Sequence, residues 1–105
     1  MFNTSNKDFS LKDVIAYIDQ HYDFTPSSFK NGELYNEENQ NNGSSKVFSY
    51  AKLHNLSKED TLKLFAEYYN DVLKTPEGED HQNIRNFMKF GWEGILFSND
   101  PLSQK

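Results

Sequence analysis

Apolar residues recur along this chain at helical spacing in several separate runs. Leu11, Val14, Ile15, Ile18 and Tyr22 fall on one stripe of a helix, and Ser10 with Asp13 three residues on is the signature of a capped start. Pro26 is expected to end that helix, because the residue before a proline is pushed out of the helical region and the ring cannot continue the ladder. Val47, Phe48, Tyr50, Ala51 and Leu53 predict a second, short helix, capped by Ser44 or Ser45 and closed near Asn55. The clearest stripe is Leu62, Phe65, Tyr69, Val72 and Leu73, following the cap signature Ser57-Lys58-Glu59-Asp60, and it predicts one continuous third helix. Thr75-Pro76-Glu77-Gly78 reads as a turn. Asp80 then caps a fourth helix with Ile84, Phe87 and Met88 inward, ending near Gly91.

Two stretches have strand character. Ile95-Leu96-Phe97 is a short apolar run, and Phe29–Tyr35 holds Asn31-Gly32, a dipeptide suited to a tight turn. Their antiparallel pairing would need helices to cover it, since an isolated hairpin is marginal in water. The pattern therefore predicts an α+β fold, predominantly helical, with about four helices and a small two-stranded antiparallel element. One domain over residues 1–105 is expected, with residues 1–9 and 99–105 as frayed ends.

The segment FKNGELYNEENQNNGSSK, residues 29–46, does not fit this pattern. Its five asparagines, two glycines and two serines have the composition of a linker, yet it lies between periodic segments. Most of it is expected to be ordered against the core, with residues 37–41 as a mobile loop and the asparagines as candidates for buried or interfacial hydrogen bonding.

Composition narrows the function. Aromatic residues are 15% of the chain, so Phe and Tyr should build the core. A net charge of −5 with one arginine, Arg85, argues against nucleic acid, which demands clustered cations. With no cysteine there is no disulfide framework, no thiolate nucleophile and no Cys-based zinc site. His21, His54 and His81 are too widely spaced for a metal-ligand motif, so neither metal nor cofactor is expected. No apolar run reaches membrane-span length and the first ten residues lack a secretory signal, so the expected product is cytoplasmic, without membrane contact, and monomeric.

Candidate chemistry concentrates at Asp80-His81-Gln82-Asn83-Ile84-Arg85, where His81 and Arg85 stand four apart on the predicted helix and could both address an anion near its N-terminus. Ordinary surface pairing of Arg85 with Glu77, Glu79 or Asp80 is the simpler account. Tyr68-Tyr69 could offer a phenol to a pocket, although Tyr69 belongs to the apolar stripe. Asn42-Gly43-Ser44-Ser45-Lys46 lacks the spacing of a phosphate-binding loop and reads as a turn and cap.

The strings Phe29-Lys30-Asn31-Gly32, Gln40-Asn41-Asn42-Gly43-Ser44, Tyr68-Tyr69 with Asp71-Val72-Leu73, Pro76 to Met88 and Gly91-Trp92-Glu93-Gly94-Ile95 together resemble the HopJ type III effector family over about residues 10 to 102. The combined D-H-x-N-I-R-x-F-M and G-W-x-G-I runs are the specific part. Ser45 stands where the family pattern has cysteine, and Asn70 where it has arginine, so any thiolate chemistry at that position is absent here. The resemblance implies a small bacterial protein grouped with effectors that type III secretion delivers into host cells, without a settled activity.

Two functional readings follow. The first is an interaction module for a host or bacterial protein, using Asn31, Asn36, Asn42, His81, Asn83 and Arg85. The alternative is a small housekeeping enzyme or ligand-binding protein with His81 as acid or base and Arg85 as anion clamp at a polar pocket. A blander account has the amides acting only as caps and turn residues.

Overall fold

Helix α1 (Leu11–His21) begins where its cap dictates: Ser10 Oγ accepts the Asp13 N–H at 3.2 Å while the Asp13 carboxylate accepts the Ser10 N–H at 3.0 Å. The computed structural model describes Phe2 and residues 8–105. Leu11, Val14 and Ile18 turn the α1 stripe into the core. The helix stops before Pro26 is reached, because Tyr22–Phe24 (β1) finds a partner in the C-terminal strand Leu102–Gln104 (β5). The tail expected to fray is therefore paired: Leu102 is buried opposite Phe24, Thr25 N–H donates to Pro101 O at 2.7 Å, and Lys105 N–H donates to His21 O at 3.1 Å. One apolar residue in a polar tail anchors it once the strand register aims that residue inward. The expectation of a loose start falls largely on residues 1 and 3–7, outside the described residues. Phe2 donates its N–H to the Tyr50 hydroxyl at 2.8 Å and meets Phe9 and Tyr17 edge-on.

The chain next forms β2 (Phe29–Asn31) and β3 (Leu34–Asn36), a hairpin whose two-residue loop places Gly32 at φ +61°, as such loops require. A Cβ on Gly32 would also collide with the Phe90 ring. The apolar run Ile95–Phe97 (β4) joins the free edge of β2, with Phe29 opposite Phe97 and Asn31 opposite Ile95. Two antiparallel sheets result, β3-β2-β4 and β1-β5, where the sequence suggested one two-stranded element. Alternation along β2 turns Phe29 and Asn31 inward and Lys30 outward.

Five α-helices are present among the described residues: α1, α2 (Asn42–Leu53), α3 (Lys58–Lys63), α4 (Glu67–Lys74) and α5 (Gln82–Phe90), the last followed by a 3₁₀ turn at Gly91–Gly94. The predicted third helix is thus two. The chain breaks at Ala66, at φ 51°, so that Leu62, Leu64 and Phe65 are all buried, and Glu67 is brought round to accept the free Leu11 N–H of α1 at 2.7 Å. Caps shift as well: α2 starts after Asn41 rather than Ser44 or Ser45, and α5 after His81 rather than Asp80.

Phe48 of α2 sits at the middle of the core, with ring centroids 6.2 Å from Phe29, 5.2 Å from Phe65 and 4.9 Å from Phe87. This is the aromatic core that the composition suggests. Burial pushes the Tyr50 phenol above its ordinary pKa, against the opposing pull of the Phe2 N–H bond. The indole N–H of Trp92 donates to Leu56 O at 2.9 Å, tying the 3₁₀ turn to the α2–α3 connection. No helix among the described residues is long and apolar enough to cross a membrane.

Candidate functional site

Three asparagines from the hairpin and α5 meet inside the protein. Asn31, Asn36 and Asn83 are 0%, 1% and 6% exposed, so their amides must find partners within the protein. Asn36 and Asn83 form a reciprocal pair, each Nδ2 donating to the other's Oδ1 at 3.0 Å. Asn31 Nδ2 donates to the Asn83 backbone carbonyl at 2.7 Å and to its Oδ1 at 3.1 Å, which fixes that amide's orientation because a carbonyl oxygen only accepts. The price of that orientation is Asn31 Oδ1, which is buried with no partner, as is Ser45 Oγ on α2. Asn41 completes the cluster by donating from Nδ2 to Asn36 Oδ1 at 2.6 Å. The asparagine-rich segment is therefore built into the fold. Residues 37–41, expected to be a mobile loop, are exposed but closed into a turn by Gln40 N–H to Glu37 O at 2.9 Å and Glu37 N–H to Gln40 Oε1 at 3.0 Å.

The same cluster aligns the starts of α2 and α5. Their N-cap residues, Asn41 and His81, share one left-handed conformation, φ 52° and ψ 46°, a region in which Asn and His are enriched. In that conformation neither side chain caps its helix. The first N–H with an acceptor is Ser45 in α2, bonded to Asn41 O, and Ile84 in α5, bonded to His81 O. Asn42, Gly43 and Ser44, and Gln82 and Asn83, keep backbone donors without a partner among the described residues, each set at the positive end of a helix dipole.

Both helix starts border one cavity of about 480 Å³. Its apolar side comes from Leu11, Ile15, Leu34, Phe65 and Ile84, and its polar side from Asn41, Ser44, Tyr68, His81, Gln82 and Asn83. The His81 imidazole lies against the Tyr68 ring, centroids 4.9 Å apart, with Nε2 3.7 Å from Asp71 Oδ2 and 3.8 Å from Asp80 Oδ2, close enough to pair when the imidazole is protonated. The arrangement offers an incoming group two sets of N–H donors, one imidazole and one phenol above an apolar floor. Among the described residues no group of three or more His, Asp or Glu side chains could hold a metal ion.

Arg85 goes elsewhere. Its Nε donates to Asp80 O at 2.6 Å, Nη1 to Thr75 O at 2.8 Å, and Nη2 to Asp80 Oδ1 at 2.7 Å and Thr75 Oγ1 at 3.1 Å. It pairs with Asp80, as the simpler account held, and clamps the turn at residues 75–80. The four-residue spacing that seemed to put His81 and Arg85 on one face applies only where both residues are helical, and His81 is not.

Of the six residues singled out from sequence, His81 and Asn83 line the cavity and Asn31 and Asn36 stand behind Asn83. Asn42 lies between two lining residues, and Arg85 faces the 75–80 turn. Sequence reasoning passed over Asn41, Ser44 and Gln82, and set Tyr68 aside with its neighbour Tyr69. The available signal for Tyr68 was its position off the apolar stripe that Tyr69 occupies.

Over residues 1–102 the chain matches the family described as HopJ type III effector protein. Its fold is also that of a solved structure, the crystal structure of the unknown function protein VPA0580, with a TM-score of 0.91 at 48% sequence identity, covering 94% of this chain and 83% of that one. No curated protein matches the chain.

Proposed function

The chain belongs to the HopJ type III effector family, and from that premise we propose that it acts by non-covalent recognition, receiving an acidic group of a protein partner in the cavity between α2 and α5. The observation that carries this reading is the convergence of two uncapped helix starts and His81 on one partly apolar cavity. Free N–H groups at a helix start favour a carboxylate or phosphate oxygen, and the cavity's apolar floor would strengthen each such contact by excluding water. A partner's Asp or Glu side chain supplies an acid on an apolar stem, which suits both halves of the lining. Export through a type III secretion apparatus is the route its family description supports, and transfer of a reporter fusion into host cells is the measurement for it.

Sodium acetate is the smallest probe with the required chemistry. Titrated against ¹⁵N-labelled protein, it is expected to shift the backbone N–H signals of Gly43, Ser44, Gln82 and Asn83 together, beyond the shifts from equal sodium chloride, with a dissociation constant on the order of 10 mM. His81→Ala should weaken this binding. Shifts scattered over the surface, or equal to those of chloride, overturn the reading.

Acid–base chemistry by His81 is a second reading, favoured by the imidazole's place in the cavity beside Asp71 and Tyr68.

A further inference from the structure

The chain contains two Asn-Gly dipeptides, Asn31-Gly32 and Asn42-Gly43, and the fold treats them in opposite ways. We propose that Asn42 is a site of spontaneous deamidation, and that the fold shields Asn31 from the same reaction. In that reaction the amide nitrogen after the asparagine loses its proton to solvent and attacks the side-chain carbonyl carbon. The new N–C bond forms, the Cγ–Nδ2 bond breaks and ammonia leaves with a proton from solvent, closing a five-membered succinimide. Water then adds to either ring carbonyl and opens it to aspartate or isoaspartate. Nothing is oxidised or reduced, and water is the only co-reactant.

Asn42 meets each requirement. It is half-buried rather than enclosed, and its side chain has no hydrogen-bond partner among the described residues. The Gly43 N–H that must ionise has no acceptor among the described residues, and it lies at the positive end of α2, which favours the anionic nitrogen. Gly43 has no side chain to obstruct attack. Closure needs Asn42 to rotate out of its helical ψ, and the first turn of a helix without a side-chain cap is where such opening costs least.

Asn31 fails each requirement. It is 0% exposed, its Nδ2 is held by Asn83, and its backbone is paired between β3 and β4. The nitrogen that would attack is occupied, since Gly32 N–H donates to Gly94 O at 2.9 Å. Conversion there requires the hairpin to open.

The product places a negative charge at the first helical position of α2, next to the cavity. Its effect on ligands rests on the acid-binding reading above, whereas the chemistry at Asn42 does not. Peptide mapping by mass spectrometry over time, on the full chain in buffer and in urea, tests the inference. In buffer, conversion at residue 42 should run at least roughly tenfold faster than at residue 31, and in urea the two rates should come within about threefold of each other. Gly43→Ala should slow conversion at residue 42 by roughly tenfold in the folded protein, since a side chain after the asparagine hinders closure. That variant should fold, because the new Cβ meets only the flexible end of Ile15, at 3.2 Å. Equal rates in buffer, faster conversion at Asn31, or no effect of Gly43→Ala would each overturn the proposal. If Asn42→Asp left acetate binding unchanged while conversion occurred as described, the cavity reading would fall and the deamidation would stand.

Discussion

Replacing Asn36 and Asn83 by alanine, singly and together, tests whether the buried amide cluster holds the hairpin to α5. Asn83→Ala removes the reciprocal bonds with Asn36 and one of the two bonds from Asn31, whose link to the residue 83 backbone carbonyl survives. Asn36 Nδ2 is then left with the Phe29 carbonyl at 3.5 Å, at the limit of a hydrogen bond. A buried donor stranded in this way costs about 1–3 kcal/mol, and the lost bonds with the small void add to it, so about 2–4 kcal/mol is expected. Asn36→Ala should cost a similar amount, because it strands Asn83 Nδ2 and frees Asn41. The double variant leaves neither partner stranded, and the cycle should show a coupling of about 1–3 kcal/mol. Urea unfolding followed by circular dichroism measures it. With a slope of about 1–3 kcal/mol per molar urea, each single change moves the midpoint by about 0.7–4 M. Additive single effects, or losses under about 0.5 kcal/mol each, would refute the claim that the amides act as one buried unit.

Two further outcomes concern the 75–85 clamp. Arg85→Ala should lower stability by about 1–2 kcal/mol and expose the turn at residues 75–80 to limited proteolysis, and Arg85→Lys should not restore protection, since one ammonium cannot reproduce the guanidinium's divergent donors. The hydrogen bond from Arg85 chiefly, helped by the nearby His81, holds the Asp80 carboxyl below its ordinary 3.8. A depressed folded value means that the ionised carboxylate stabilises the fold fully above the unfolded value, and that this contribution fades as pH falls through the folded one. The difference in Tm between the protein and Asp80→Asn should therefore close as pH falls below 3.8.

Elements whose evidence is local were legible in the sequence. The Ser10–Asp13 box, the Ser57 cap, the end of α5 at Gly91 and the strand character of Ile95–Phe97 all depend on neighbouring residues or on one apolar run. What the sequence withheld depends on distant partners. The β1–β5 pairing joins the segment just after α1 to the last strand, and the break at Ala66 follows from burying Leu64 beside Phe65, a tertiary demand that overrides helical periodicity. The site divides along the same line. Asn31 and Asn36 were candidates for buried or interfacial hydrogen bonding from their place in the asparagine-rich segment, whereas the burial of Asn83 and the left-handed N-caps of α2 and α5 emerge only in the folded chain.

That cluster also bears on how long the native state lasts. Asn83 bonds to Asn36 and Asn31 across 47 and 52 residues of chain, so none of these long-range bonds can form until the hairpin and α5 have both been delivered to the core. Closing a loop of that length is slow relative to helix growth, and exact amide geometry comes after the rough apolar assembly that makes up a typical folding barrier. Interactions acquired on the native side of the barrier leave the folding rate nearly untouched and set the rate of opening. The asparagines packed behind the cavity wall would thereby act as a latch, slowing escape from the native state.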